Sequence, residues 1–161
     1  MKKYENVSDE IEELFAKIVD ETTIPEFLKS EIKIRSCEKQ KEMCKITKLN
    51  DLAQTFTDGT QLAVVINEKA FDMLPAEYQN IVLVECLSGI SVNPENDAVS
   101  LIKGDFITYT GVLQKFGGES IIILKESIKS IFDKIKRDED EAKALEKAAG
   151  GKKRGRRPNA Q

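Results

Sequence analysis

The chain contains no histidine and no tryptophan. Without histidine there is no imidazole general base, no Ser-His-Asp or Cys-His arrangement and no histidine-ligated zinc. Acid–base chemistry would fall to carboxylates, lysine, tyrosine or cysteine. Proline is scarce, at four residues, and no Pro/Ser-rich linker or internal repeat divides the chain. Cysteine occurs three times, as Cys37, Cys44 and Cys86, with no Cys-x-x-Cys pair. That odd set argues for reduced thiols in a cytosolic setting. Cys37 and Cys44 are expected to face each other across a hairpin, where two thiols alone do not close a tetrahedral zinc site. No apolar run approaches the roughly 18 residues of a membrane span. The opening Met1-Lys2-Lys3-Tyr4-Glu5 lacks a leader's apolar core. These absences predict a cytoplasmic protein without membrane contact.

What is present is a mixture of helical and strand periods. Ile11, Leu14, Phe15, Ile18 and Val19 form one apolar stripe behind a Ser8 cap and the acidic turn Asp9, Glu10, Glu12, Glu13. Ile32 and Ile34 alternate with Lys33 and Arg35, and Met43-Cys44-Lys45-Ile46 reads as the return strand of a hairpin. Asn50 or Asp51 caps a short helix, and Asp58-Gly59 marks a turn. Leu62-Ala63-Val64-Val65-Ile66 is an unbroken β-favouring run of the kind found at the centre of a sheet. Asn67 caps a helix from Glu68 to Leu74, and Pro75 opens a buried helix to about Gly89. Val92 to Asp97 reads as a loop, and Val99, Leu101 and Ile102 as a short strand. Asp105 then caps a helix ending at Phe116-Gly117-Gly118. In the last helix Leu124, Ile128, Ile131 and Ile135 are spaced four, three and four, until Asp138-Glu139-Asp140-Glu141 interrupts them.

This order predicts an α+β fold: a small mixed or antiparallel sheet with packed helices and a long C-terminal helix. A globular unit over residues 1–136 is followed by an exposed charged helical extension over 137–149 and a disordered basic tail over 150–161. Leu14, Ile18, Val64, Ile66, Ile81, Leu87, Leu113, Ile128 and Ile131 are the expected core.

Residues 62–117, and more loosely 30–135, resemble the phage metallopeptidase family, a small zincin-like group from bacteriophages. Ala63-Val64-Val65-Ile66-Asn67-Glu68-Lys69-Ala70-Phe71 looks like that family's strand and following helix. Leu74-Pro75-Ala76-Glu77 looks like its lead-in. The resemblance implies a His-Glu-x-x-His helix, with the third ligand in a His-Asp pair at the start of the next helix. Two histidines four apart share one helix face and one zinc, and the glutamate polarises the metal-bound water. Here the matching residues are Val84-Glu85-Cys86-Leu87-Ser88 and Gly104-Asp105. The ligand positions hold Val84, Ser88 and Gly104, none of which replaces imidazole; only Glu85 and Asp105 are retained. Cys86 lies roughly 100° around the helix from Glu85 and lacks partners at ligand spacing. The reading is a catalytically inactive relative, with no metal and no cofactor. Glu85 is then either a helix carboxylate, exposed or paired with a lysine, or a retained pocket carboxylate.

The charge is unevenly placed. Residues 1–149 carry 20 basic against 28 acidic side chains, a net of −8, whereas residues 150–161 carry +5. Lys152, Lys153, Arg154, Arg156 and Arg157, with Gly155 and Pro158, resemble an AT-hook with one extra arginine. The basic residues predict nucleic-acid contact through phosphate attraction, and the acidic body a phage or host protein partner. Three functions compete. The first is an inactive binding module with a nucleic-acid-binding tail. The second is a virion or assembly protein binding packaged genome. The third is a metal-dependent hydrolase using Glu85 and Asp105.

Overall fold

The computed structural model describes residues 3–104 and 108–150. Its first helix, α1 (Asp9–Glu21), buries Ile11, Phe15, Ile18 and Val19 along the expected stripe. Ser8 occupies the cap position without a side-chain cap bond; instead its backbone N–H donates to Glu68 Oε1 at 2.9 Å. A short α2 (Glu26–Lys29) leads to β1 (Ile32–Ser36). After β2 (Cys44–Lys48), α3 (Asp51–Phe56) starts where Asn50 accepts from the Ala53 N–H. The turn at Asp58-Gly59 has both residues at positive φ, 53° and 83°, the left-handed geometry for which Asp-Gly is suited. It feeds β3 (Leu62–Ile66).

The sheet order is β1-β3-β2, with β3 parallel to β1 and antiparallel to β2. The expected hairpin between β1 and β2 is therefore not formed, because β3 lies between them. The physical reason is in the side chains. Leu62–Ile66 has no charge, and Leu62, Val64 and Ile66 are fully buried. β1 carries Lys33 and Arg35, and β2 carries Lys45 and Lys48. Charged strands suit edges, and the apolar one suits the centre.

Asn67 caps α4 (Glu68–Phe71) by accepting from the Ala70 N–H at 3.1 Å. Its amide also donates to Glu38 O and Gln40 O, tying down the segment between β1 and β2. Pro75 precedes α5 (Ala76–Leu87), which packs against α1, β2 and α6. No residue from Tyr78 to Leu87 is exposed, as expected of a buried helix. α5 stops at Leu87, short of Gly89, because β4 (Ile90–Val92) begins at once and pairs antiparallel with β5 (Val99–Leu101). The start of the expected 92–97 loop is thus a strand residue.

The next helix, α6 (Thr110–Phe116), has Tyr109 at its cap position. It starts later than an Asp105 cap would require, and Asp105 itself lies outside the described residues. Finally, α7 (Gly118–Gly150) packs on α4 and α6. Ile121, Leu124 and Ile135 are buried, and Ile128 and Ile131 pack half-buried against the core. Leu14 and Leu113 are likewise half-buried, so the expected core is correct in place but partly at the margin. The acidic run does not interrupt α7, although every residue from 136 to 150 is exposed. Among the described residues no helix is long and apolar enough to cross a membrane.

Candidate functional site

Glu85 sits in the last turns of α5, on the side that faces β2 and α7. Its carboxylate accepts from Lys125 Nζ through both oxygens, at 2.6 and 2.8 Å. The two side chains retain 15% and 35% of their exposure, so the pair is partly shielded from water. A charge-assisted contact to both oxygens is among the stronger kinds of hydrogen bond. Glu85 is therefore paired with a lysine, and the pair lines a cleft.

That cleft encloses about 700 Å³ between β2, α5, α7 and the segment after β5. Val82, Ile46, Ile128 and Phe132 supply apolar lining, and Lys41, Lys45 and Lys103 stand among the polar lining residues. Gly104 lines the same cleft, so the fold brings Glu85 and one expected ligand position together. Ser88 lines a separate cleft with Leu87, Ile90 and Lys115, and Tyr109 borders both. Val84 packs half-buried against the core. The Ser88 hydroxyl donates back to Val84 O at 2.7 Å and is thereby occupied. The three ligand positions of the family pattern thus do not line a common cleft.

Gly104 is glycine for a packing reason. A Cβ there would stand 2.7 Å from Thr108 O and 2.9 Å from Thr108 C. Backbone that close excludes any side chain, imidazole included, unless Gly104 and Thr108 move apart. No group of three or more cysteine, aspartate or glutamate side chains suited to a metal occurs among the described residues. Asp105 and the five basic residues Lys152, Lys153, Arg154, Arg156 and Arg157 lie outside them.

Three participants escape a reading by sequence spacing. Lys125 is separated from Glu85 by 40 positions, and nothing local distinguishes it from other lysines of α7. Cys86 lines the same cleft as Cys44, which stands 42 positions away. Cys44 is the first residue of β2, aligned with Ile66. Cys37, immediately after β1, donates its N–H to Ile66 O on the other side of β3. Two strand spacings of about 4.8 Å separate such positions, so Cys37 and Cys44 do not face each other. Burial, then the Cys86 thiol, then Glu85 and Glu42 push the Cys44 thiol well above its usual range. Tyr109 is also raised, by burial first and then by Cys86 and Glu85. Its hydroxyl donates to Ile102 O at 2.9 Å, which holds the segment after β5 against Gly89 and the end of α5.

The arrangement can hold a ligand against apolar walls and several ammonium groups. It presents no unpaired carboxylate beside a metal-ligand set among the described residues. No protein-family model, no curated protein and no solved structure matches this chain.

Proposed function

We propose that the chain is a non-catalytic binding module, similar in layout to the phage metallopeptidases. In this reading its basic segment Lys152 to Arg157 engages nucleic acid and its acidic body meets a phage or host protein. The observation that carries it is the Lys125–Glu85 pair. A glutamate that must polarise a metal-bound water needs a metal beside it. Here both carboxylate oxygens are taken by an ammonium group. The crowded backbone at Gly104 supports the same reading, because it leaves no volume for a third ligand. The hydrolase alternative would have to break the ion pair and separate Gly104 from Thr108.

The nucleic-acid half rests on charge. α7 runs exposed from residue 136 to residue 150, a distance of about 22 Å, and the basic segment follows it in the chain. Two measurements test the reading. Elemental analysis of the purified chain is expected to find no stoichiometric zinc; one tightly held zinc per chain overturns the inactive-module reading. The full chain is expected to retain duplex DNA at low salt, and the chain lacking 152–161 is not. Five cations bound the slope of log K against log salt at about −4.5. Equal retention by both chains overturns the nucleic-acid assignment.

A further inference from the structure

We propose that the 700 Å³ cleft between β2, α5 and α7 binds a small amphipathic acid of the fatty-acid class, its chain on the apolar floor and its carboxylate at the lysines of the rim. The inference goes beyond the binding-module reading and stands or falls without it. The volume lies within the range of about 300–1,000 Å³ of small-molecule sites. Floor and rim differ in kind. Ile46 from β2, Val82 from α5, and Ile128 and Phe132 from α7 supply the floor. Val82 is buried, whereas Ile46, Ile128 and Phe132 are half-buried, so the chain's own packing leaves part of each uncovered. Leu101 and Ile102 extend the apolar surface at the edge, and Ile102 is 52% exposed. An alkyl chain laid along these side chains removes apolar surface from water on both partners.

Charge sets the rim. Lys41, Lys45, Lys103 and Lys125 line the cleft against two carboxylates, Glu42 and Glu85. Glu85 is taken by Lys125, and Glu42 lies 3.9 Å from Lys45. Lys41 and Lys103 are exposed and have no ion-pair partner among the described residues. The lining therefore carries two surplus positive charges on a body whose residues 1–149 sum to −8. A local charge opposite in sign to the whole selects an anion for this cleft. An anion without a tail leaves the apolar floor wet. A neutral tail leaves the two surplus ammonium groups without a partner. One molecule with both parts satisfies both surfaces. The lining includes no arginine, the side chain whose planar fork suits phosphate, and single ammonium groups suffice for a carboxylate. The basic residues Lys152 to Arg157 of this chain have the wrong sign to occupy the cleft themselves.

The test titrates the full-length chain with decanoate by calorimetry, beside acetate, decan-1-ol, decyltrimethylammonium and decyl phosphate. Decanoate should bind once per chain with a Kd below about 1 mM. Acetate lacks the chain and decyltrimethylammonium has the wrong charge, so neither should bind detectably. Decan-1-ol should bind about fivefold more weakly than decanoate, the worth of one partly exposed ion pair. Lys41→Gln and Lys103→Gln should each weaken decanoate binding about two- to fivefold. Ile102→Glu, which sets a carboxylate at the edge of the floor, should abolish it. All three replaced side chains are exposed, and an unchanged melting temperature checks the fold of each variant. The thiols locate the ligand, because Cys44 and Cys86 line the cleft and Cys37 does not. Bound decanoate should slow alkylation of Cys44 and Cys86 by iodoacetamide, read by peptide mapping, and leave the rate at Cys37 as it was. No saturable binding, equal binding of decanoate and decan-1-ol, undiminished binding by both lysine variants, or unchanged alkylation of Cys44 and Cys86 each overturns the proposal. Tighter binding of decyl phosphate than of decanoate overturns the choice of a carboxylate.

Discussion

The two halves of α7 have the same period and opposite surroundings. From Gly118 to Ile135 the helix lays Ile121, Leu124, Ile128, Ile131 and Ile135 on the body of the protein. From 136 to 150 the three-and-four spacing persists through Asp138, Ala142, Leu145 and Ala149, yet every residue is exposed. The first half is held by buried apolar area. The second has none to bury, so it rests on intrinsic propensity: Ala, Leu, Glu, Lys and Arg are all good helix formers. Lys147 in the last turn also complements the negative end of the helix dipole. Period alone therefore describes a helix, and the chemistry at the seam decides whether that helix packs. Asp138 is where the seam changes.

Four experiments break or sharpen this contrast. The largest effect is expected at Leu124, which is fully buried. Leu124→Ala should cost about 2–5 kcal/mol in a urea melt, whereas Leu145→Ala, at a residue 72% exposed, should stay within about 0.5 kcal/mol. Similar losses at the two sites would erase the distinction between the halves.

Second in size is the clasp between α7 and α5. Lys125→Met leaves the Glu85 carboxylate shielded and without its ammonium, at a cost of about 1–3 kcal/mol. Adding Glu85→Gln should recover part of that loss, and the double-mutant cycle measures the coupling. Full additivity would mean that the pair carries no interaction energy.

Third, Ala144→Pro should remove the helical circular dichroism of the projecting turns and leave the melting temperature unchanged. A proline costs a helix interior about 3 kcal/mol, but that loss is local where few contacts tie the segment to the core. A cooperative drop in melting temperature would show that the second half has a partner in the folded chain.

The smallest effect lies outside α7 and calibrates the others. Burial, with Glu68 and Glu10 nearby, raises the Asp72 carboxyl above its ordinary 3.8. A raised carboxyl means the folded state prefers the protonated form. Its contribution is present below the ordinary value and is lost as pH rises through the raised one. Asp72→Asn should therefore stabilise the chain at neutral pH, by up to about 0.5 kcal/mol. The gain should vanish near pH 3, and a gain of equal size at both values would contradict the assignment.

Local signals proved dependable where a physical rule acts within a few residues. The Asn50 and Asn67 caps, the Asp58-Gly59 turn and the α1 stripe are of this kind, since each interaction closes inside one turn. Strand pairing was harder to read. Adjacent runs suggested a hairpin between β1 and β2, but burial of the uncharged strand placed β3 between them. The cleft was the least legible feature. Glu85 drew notice through a resemblance, whereas its partner Lys125 lies 40 positions away. No periodicity connects such positions.

The sequence by itself determined most of the element types, the absence of imidazole chemistry and the separation of acidic from basic residues along the chain. Those depend on composition and on interactions of neighbours along the chain. Only the tertiary structure decided the strand order, the pairing of Glu85 with Lys125 and the cleft that gathers Glu85 with Gly104. Each of these is settled by which surfaces bury one another, and burial couples residues through space without regard to their distance in sequence.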